Sequence, residues 1–201
     1  LVLCPDCGYR ANMEAAPCIT PAAPAAVAAP LQLVSTPGVK TIEALCDFLG
    51  IRPEQTCKAV VYQANATDEY IAVFLRGDLE VNETKLRNHL GFEIHPALEL
   101  DETSGLTAGF IGPLGLPRQL RVVYDQSLQG ENHLVCGGNQ PDMHHTGFNP
   151  GRDLPLAQYT DVAKACAGGL CPCCGKPSLT LTRGIEVGNI FQLGDKYTKS
   201  M

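Results

Sequence analysis

The sequence lacks several features that would place it directly in a functional class. None of its apolar runs reaches the length of about eighteen residues that a membrane-spanning helix needs. Positive charge is not in excess, since 15 Lys and Arg stand against 21 Asp and Glu, a formal net charge of -6. A uniformly basic clamp for nucleic acid is therefore excluded, whereas binding through locally placed Lys and Arg is not.

Familiar catalytic signatures are also missing. The sequence has no phosphate-binding P-loop, no convincing Ser-His-Asp arrangement and no internal repeat. Hydrophobic residues make up 45% of the 201 residues, which suits a globular chain with a packed core. Both chain ends are typical of cuts in a longer protein, and we expect a cytoplasmic location without membrane contact.

Cysteine, by contrast, is abundant, and four of the ten cysteines form two copies of the pattern C-P-x-C-G. Such a turn points two thiolates at one ion, and its glycine takes the positive φ that the turn needs. Two turns supply the four sulfurs of a tetrahedral structural zinc site, whereas an empty site with reduced thiols is the alternative. The predicted zinc ligands are Cys4, Cys7, Cys171 and Cys174, while Cys173 is predicted to face elsewhere.

The middle of the chain alternates between helix and strand patterns. Thr41 and Asn82 are predicted to cap two helices that end at Gly50 and Gly91. Short runs rich in Val, Ile, Tyr and Phe predict strands at 59–63, 70–75, 92–95, 120–124 and 133–136. This order predicts an α+β or mixed α/β fold with a mixed central sheet flanked by helices.

Several segments together resemble one family. They are TPGVKT (36–41), TCKAVVY (56–62), LRGDLEVNETKL (75–86), GFIGP (109–113), YDQS (124–127) and GGNQPDMHHTGFNPGRD (137–153). The chain resembles the editing insertion of bacterial-type prolyl-tRNA synthetases, which belongs to the YbaK/ProX-like superfamily of deacylases. One departure is Pro150, which stands where the family usually has an aromatic residue.

The resemblance implies a function and partners. The domain would hydrolyse the ester of mischarged alanyl-tRNA(Pro), with the tRNA acceptor end and the synthetase body as partners. The parent enzyme, expected to be a homodimer, would ligate proline to tRNA with ATP and magnesium. The competing hypothesis is a non-catalytic, zinc-bearing insertion that binds tRNA or acts as a scaffold after losing its editing activity.

Composition and element boundaries divide the chain into four parts, which the resemblance then names. Residues 1–14 would be an N-terminal flank with the first cysteine turn, and residues 15–32 an Ala/Pro-rich linker. Residues 33–160 would form the editing domain, and residues 161–201 the second cysteine turn and the return into the class II synthetase core. If the two cysteine turns share one ion, the two chain ends meet in a small zinc-ribbon-like base.

The family's site residues transfer to matching positions. Lys58 is assigned to the tRNA 3′ end, and Gly109, Gly112 and Pro113 to a loop whose backbone N–H groups face the substrate carbonyl. A surface lysine and a plain loop are the alternatives that the residues alone leave open.

Other residues are assigned to the substrate pocket. His144 is assigned to recognition of the alanyl group, with the neighbouring His145 as its rival. Thr36 and Asp125 match positions that line the pocket, although capping or turn roles are open for both. The resulting mechanism is attack of water on the ester, assisted by positioning and backbone donors.

Overall fold

The computed structural model describes residues 1–21, 29–101 and 104–184, which contain three helices and eleven strands. The helices are α1 (Ile42–Leu49), α2 (Glu83–Leu90) and α3 (Pro150–Asp153). The strands are β1 (Val2–Leu3), β2 (Arg10–Ala11), β3 (Gln32–Ser35), β4 (Thr56–Ala64), β5 (Tyr70–Arg76), β6 (Ile94–Pro96), β7 (Arg121–Asp125), β8 (Leu134–Gly137), β9 (Met143–Phe148), β10 (Tyr159–Thr160) and β11 (Thr180–Leu181).

Eight of these strands form one mixed sheet. Its order is β10-β7-β5-β4-β8-β9-β3, and β6 pairs with β4 beside this path. The pairs β4–β5, β4–β6, β8–β9 and β3–β9 are antiparallel, whereas β5–β7, β7–β10 and β4–β8 are parallel. The predicted mixed sheet of an α+β fold is therefore confirmed.

Strand β5 forms the centre of the core. Side chains alternate across a strand, so Ile71, Val73 and Leu75 pack on one face while Ala72 and Phe74 pack on the other. Helix α2 covers the first face through its buried Leu86. The second face is covered in part by apolar side chains of the segment between β6 and β7, including Ile111, Leu114 and Leu116.

Local sequence signals set the two longer helices as predicted. The Thr41 hydroxyl accepts a hydrogen bond from the Ala44 N–H at 3.2 Å, and the Asn82 side chain accepts from Thr84 and Lys85. Both helices end at glycines with left-handed backbone, Gly50 at φ 65° and Gly91 at φ 79°.

The five predicted strands are present as β4 to β8, with bounds shifted by up to three residues. Strands β3 and β9 were not predicted, and neither was α3, which begins at Pro150. Proline is well suited to that first helical position, because the N–H it lacks would have no partner within the helix.

The first residues of the chain meet residues 180–181 in the second, three-stranded sheet. Strand β1 pairs with both β2 and β11, which brings the two cysteine turns together as predicted. Ala16 and Cys18, which fall in the predicted linker, are buried, and so are Val162 and Ala163 beyond position 160. The remaining linker residues 22–28 and the predicted return into the synthetase core, 185–201, lie outside the described residues.

No helix in the described ranges is long and apolar enough to cross a membrane.

Candidate active site

A hollow of about 280 Å³ lies where five parts of the fold meet: the start of α1, strand β4, the loop before β7, the end of β8 and the start of β9. Its polar lining consists of Lys40, Thr41, Lys58 and His144. Its remaining lining is apolar or glycine: Ile42, Leu45, Cys57, Ala59, Gly109, Ile111 and Gly137. Three residues predicted for the site from distant parts of the sequence, Lys58, Gly109 and His144, therefore share one hollow.

Lys58 enters this hollow from strand β4 and is partly buried. Its Nζ donates a hydrogen bond at 3.0 Å to the carbonyl of Gly77, in the turn that follows β5. Burial lowers the pKa of Lys58, while the negative charges of Glu80, Asp78 and Glu43 act in the opposite direction. The result is a partly desolvated ammonium group at the wall of a cavity.

His144 lies on the other side of the hollow with its ring held from two directions. Its Nδ1 lies 2.6 Å from the hydroxyl of Thr36, which is fully buried, and Phe110 packs edge-on at 5.6 Å between ring centroids. Burial, and secondarily the charge of His145, lowers the pKa of His144. The ring is therefore neutral near pH 7, and its Nε2 is free of the Thr36 contact.

The neighbouring His145 is not part of this hollow. Successive side chains of a strand point to opposite faces, so His145 projects away from His144 on β9. Its Nδ1 lies 3.5 Å from the carbonyl of Gly137. The position of His144 agrees with its assignment over His145.

Asn139, a residue for which the sequence predicts no role, holds the loop at 109–113 in place. Its side-chain oxygen accepts a hydrogen bond from the Gly112 N–H at 2.8 Å, and its amide nitrogen donates to the carbonyls of Gly112 and Leu114. Its own backbone N–H donates to the Phe110 carbonyl at 2.8 Å. Asn139 has a positive φ of 56°. Asparagine tolerates such a backbone better than most residues, which is the only indication in the sequence that Asn139 could take this position.

Gly112 is required because two backbone segments touch at this point. A Cβ on Gly112 would lie 1.7 Å from the carbonyl oxygen of Gly137, and a Cβ on Gly137 would lie 2.3 Å from the carbonyl oxygen of Phe110. The buried Pro113 follows directly. The two glycines therefore allow the loop to lie flat against the end of β8.

The backbone N–H groups of this loop differ in their availability. Those of Phe110 and Gly112 already donate to Thr107 and Asn139. Those of Gly109 and Ile111, both lining the hollow, donate no hydrogen bond within the described parts of the chain. Gly109 and Ile111 therefore have backbone N–H groups available at the hollow, whereas the N–H of Gly112 is already bonded to Asn139.

Comparison with known sequences decides the family. The sequence pattern described as "Aminoacyl-tRNA editing domain" matches residues 36–154, which contain every residue that lines the hollow. The chain belongs to this aminoacyl-tRNA editing domain family.

Bacterial relatives of this editing domain support the narrower resemblance. The chain is 41% identical over 201 residues to the proline–tRNA ligase of Aquifex aeolicus (strain VF5), covering 98% of this chain and 35% of the relative. It is 37% identical over 206 residues to that of Thermoanaerobacter sp. (strain X514), covering 100% of this chain and 36% of the relative. The chain thus spans about a third of the length of these relatives, and the predicted resemblance to prolyl-tRNA synthetases is confirmed.

Solved structures share the fold of the editing domain. A protein described as a trans-editing enzyme for prolyl tRNA synthetase aligns with a TM-score of 0.57 and 20% identity, covering 67% of this chain and 87% of that one. A hypothetical protein aligns with a TM-score of 0.58 and 22% identity, covering 67% and 92%. The predicted YbaK-like fold is confirmed.

Two residues assigned to the pocket of the editing domain lie behind it or away from it. Thr36 does not line the hollow and reaches it only through His144. Asp125 is fully buried and accepts hydrogen bonds from the N–H groups of Ser127, Val162 and Ala163, all at 2.8–2.9 Å. The Asp125 carboxylate thus caps the turn at Gln126–Leu128 and binds the backbone of Val162 and Ala163, away from the hollow.

Lys40 lines the hollow of the editing domain but received no role from the sequence. Its side chain packs against Gly109, where a Cβ would lie 3.1 Å from it. It directly precedes Thr41, the cap of α1, so its charge adds to the positive end of the helix dipole. Lys40 and Lys58 together give the hollow two cationic groups.

The four predicted ligand cysteines come together in the base of the molecule. The sulfur atoms of Cys4, Cys7, Cys171 and Cys174 lie within 4.8 Å of one another, with Cys4–Cys174 at 3.7 Å and Cys7–Cys171 at 3.6 Å. Sulfurs bound at about 2.3 Å to a tetrahedral zinc ion lie about 3.8 Å apart. The cluster therefore fits a metal ion.

Proposed function

We propose that this editing domain hydrolyses the ester bond of alanyl-tRNA(Pro) in the hollow between Lys58, the 109–111 loop and His144. The observation that carries the proposal is the convergence on a cavity of about 280 Å³ of two cations, one neutral histidine and two backbone N–H groups that have no acceptor among the described residues. An ester on the end of a phosphate chain needs these three elements: anion binding, oxyanion stabilisation and side-chain recognition.

Lys58 and Lys40 are assigned to the phosphate groups near the tRNA 3′ end. Lys58 is partly buried, so its interaction with a phosphate is stronger than that of a fully hydrated lysine. Lys40 is exposed and reaches the same hollow from the start of α1. The net charge of -6 does not oppose this, because the two cations are concentrated at one place.

The N–H groups of Gly109 and Ile111 are assigned to the oxyanion that forms when the ester carbonyl is attacked. Backbone donors fixed before the reaction need no reorganisation in the transition state. Asn139 provides this rigidity by tying the loop at Phe110, Gly112 and Leu114.

His144 is assigned to the alanyl group. Thr36 fixes its Nδ1, so Nε2 is the ring nitrogen left for the substrate. Among the residues that the structure describes, those that line the hollow include no carboxylate. We therefore assign the attack to a positioned water molecule, assisted by the ribose hydroxyl beside the ester.

The whole protein is proposed to be a cytoplasmic, dimeric proline–tRNA ligase that uses ATP and magnesium, in line with the names of relatives such as that of Aquifex aeolicus. Its proposed partners are tRNA(Pro) and the remainder of the synthetase. The proposed domain division stays at 1–14, 15–32, 33–160 and 161–201. A non-catalytic scaffold is not favoured, because the family match covers the intact hollow.

Zinc is the metal proposed for the four-cysteine cluster. Four thiolates in a tetrahedron favour zinc over the harder magnesium and calcium ions. Such a site has no open position for substrate, so its contribution is to hold the two chain ends together.

The test is deacylation of alanyl-tRNA(Pro) beside correctly charged prolyl-tRNA(Pro). We expect wild type to hydrolyse the alanyl ester much faster than the prolyl ester, and Lys58→Ala to lower kcat/KM at least about tenfold, the effect of losing a charged contact. His144→Ala should reduce the preference for alanine. Lys176→Ala is the matched control, because this exposed lysine lies in the cysteine base. Unchanged activity in both site variants would contradict the assignment.

A further inference from the structure

The turn that follows β5 is the anchor of Lys58. The only hydrogen bond of the Lys58 ammonium within the described residues is to the Gly77 carbonyl, at 3.0 Å. The position of the cation in the hollow therefore depends on where the backbone of residue 77 lies.

Close packing determines the position of Gly77. Its N–H donates to the Thr56 carbonyl at 2.9 Å. A Cβ at this position would lie 1.8 Å from the Thr56 hydroxyl and 2.8 Å from the Pro53 carbonyl oxygen. Only glycine allows the turn to lie flat against the start of β4, two residues from Lys58.

The residues on both sides of Gly77, Arg76 and Asp78, form an ionic network with Glu131. The Arg76 guanidinium binds both carboxylate oxygens of Asp78, at 2.7 and 2.9 Å, and reaches Glu131 at 3.4 Å. The side chains of Arg76 and Glu131 are only 8% and 5% exposed. Burying the charges of Arg76 and Glu131 is costly unless they are well paired, whereas Asp78, which pairs with Arg76 from the surface, is more exposed, at 23%.

The same turn also carries negative charge towards Lys58. The carboxylates of Asp78 and Glu80 and, from α1, that of Glu43 raise the pKa of Lys58 against the effect of burial. Glu80 is shared with Lys164, whose Nζ lies 2.9 Å from it. Asp78 thus acts on Lys58 both through the shape of the turn and through its charge.

We propose that Arg76, Asp78 and Glu131 are positioning residues that hold the Gly77 carbonyl against the Lys58 ammonium and so fix the cation for the tRNA 3′ end. The inference rests on the proposed function of the hollow. Asp78 and Glu131 do not line that hollow, and the network faces a separate one of about 500 Å³. Their effect on the reaction must therefore pass through Lys58.

The test is a double-mutant cycle on alanyl-tRNA(Pro) deacylation with wild type, Asp78→Asn, Lys58→Ala and the double variant. Asp78→Asn keeps the shape of the side chain and removes its charge. We expect it to raise KM about three- to tenfold with little change in kcat, because an anchored cation binds ground state and transition state alike. In the Lys58→Ala background the same substitution should have no further effect. Glu93→Gln is the matched control, because it unpairs Arg87 on the exposed surface.

A second readout does not require activity. The pKa of Lys58, followed by NMR of its side chain, should fall in Asp78→Asn and stay unchanged in Glu93→Gln. Additive losses in the cycle, or an unshifted Lys58, would overturn the inference while leaving the proposed function intact. Absence of deacylation in wild type would defeat the proposed function, and the NMR titration would then decide the inference alone. If Asp78→Asn does not fold, as judged by its thermal midpoint, Glu131→Gln takes its place in the double-mutant cycle, where additive losses with Lys58→Ala would overturn the inference.

Discussion

At the scale of single residues, the pair of Thr36 and His144 shows how a buried polar contact sets the state of a site. The histidine is 5% exposed and the threonine fully buried, so the imidazole cannot be protonated without a desolvation penalty. Its 2.6 Å contact with the Thr36 hydroxyl fixes the ring and leaves one nitrogen for the substrate.

This pair predicts a dependence of stability on pH. The pKa of His144 is lower in the folded chain than its ordinary value of 6.5. Below pH 6.5 the unfolded chain therefore binds a proton that the folded chain does not, and stability falls as the pH is lowered. We expect urea unfolding between pH 8 and pH 5 to show a steeper loss of stability for wild type than for His144→Gln. Equal slopes for the two proteins would contradict a neutral, buried His144.

At the scale of structural elements, the two cysteine turns act as one unit although they are far apart in sequence. Each closes on itself with the same backbone bonds, Gly8 to Cys4 and Gly175 to Cys171, and each glycine has a φ above 70°. Strands β1 and β11 then pair beside the four sulfurs.

If the four cysteines bind zinc, the zinc content of the protein and the stability of the small sheet should depend on them, and Cys173 provides a control in the same turn. Cys7→Ser should leave the protein with well below one zinc ion per chain and should increase hydrogen exchange in β1 and β11. Cys173→Ser, in the same turn as two ligands but outside the cluster, should keep both the metal and the protection. Metal analysis of freshly prepared proteins, with exchange measured on the same samples, checks this. Equal zinc content in the two variants would refute the proposed ligand set.

The sequence predicts a helix or strand well when the residues that determine it lie close together in the chain. The caps at Thr41 and Asn82 and the stops at Gly50 and Gly91 act within one helical turn, so the helices were predicted correctly. Strand β9 has the sequence MHHTGF, which lacks an apolar alternation, and it forms because β8 and β3 pair with it. The β3–β9 pairing joins strands about a hundred residues apart, and such distant pairing leaves little trace in the sequence of either strand.

In the candidate site too, residues with a local sequence motif are predictable, whereas residues whose role depends on distant contacts are not. Lys58, Gly109 and His144 were found through their motifs, and the structure brings them together. Lys40 and Asn139 were missed because their roles arise only from the meeting of distant segments. The sequence does not distinguish a carboxylate that caps a turn, as that of Asp125 does, from one that faces a pocket.

At the scale of the whole molecule, the candidate active site and the cysteine cluster lie on different sheets. The hollow lies on the large mixed sheet, whereas the three-stranded sheet joins residues 2–11 to residues 180–181 beside the cysteine cluster. The chain as a whole covers about a third of the length of its proline–tRNA ligase relatives.

The central claim, that the hollow between Lys58, the 109–111 loop and His144 receives an alanyl ester, is tested most directly by locating a bound substrate analogue. A stable amide analogue of 3′-alanyl-adenosine can be titrated into the labelled protein while backbone amides are followed by NMR. We predict saturable shifts centred on Lys58, Gly109, Ile111 and His144, weakened by His144→Ala. Shifts confined to the separate hollow beside Arg76 and Glu131, or none at all at millimolar analogue, would contradict the account.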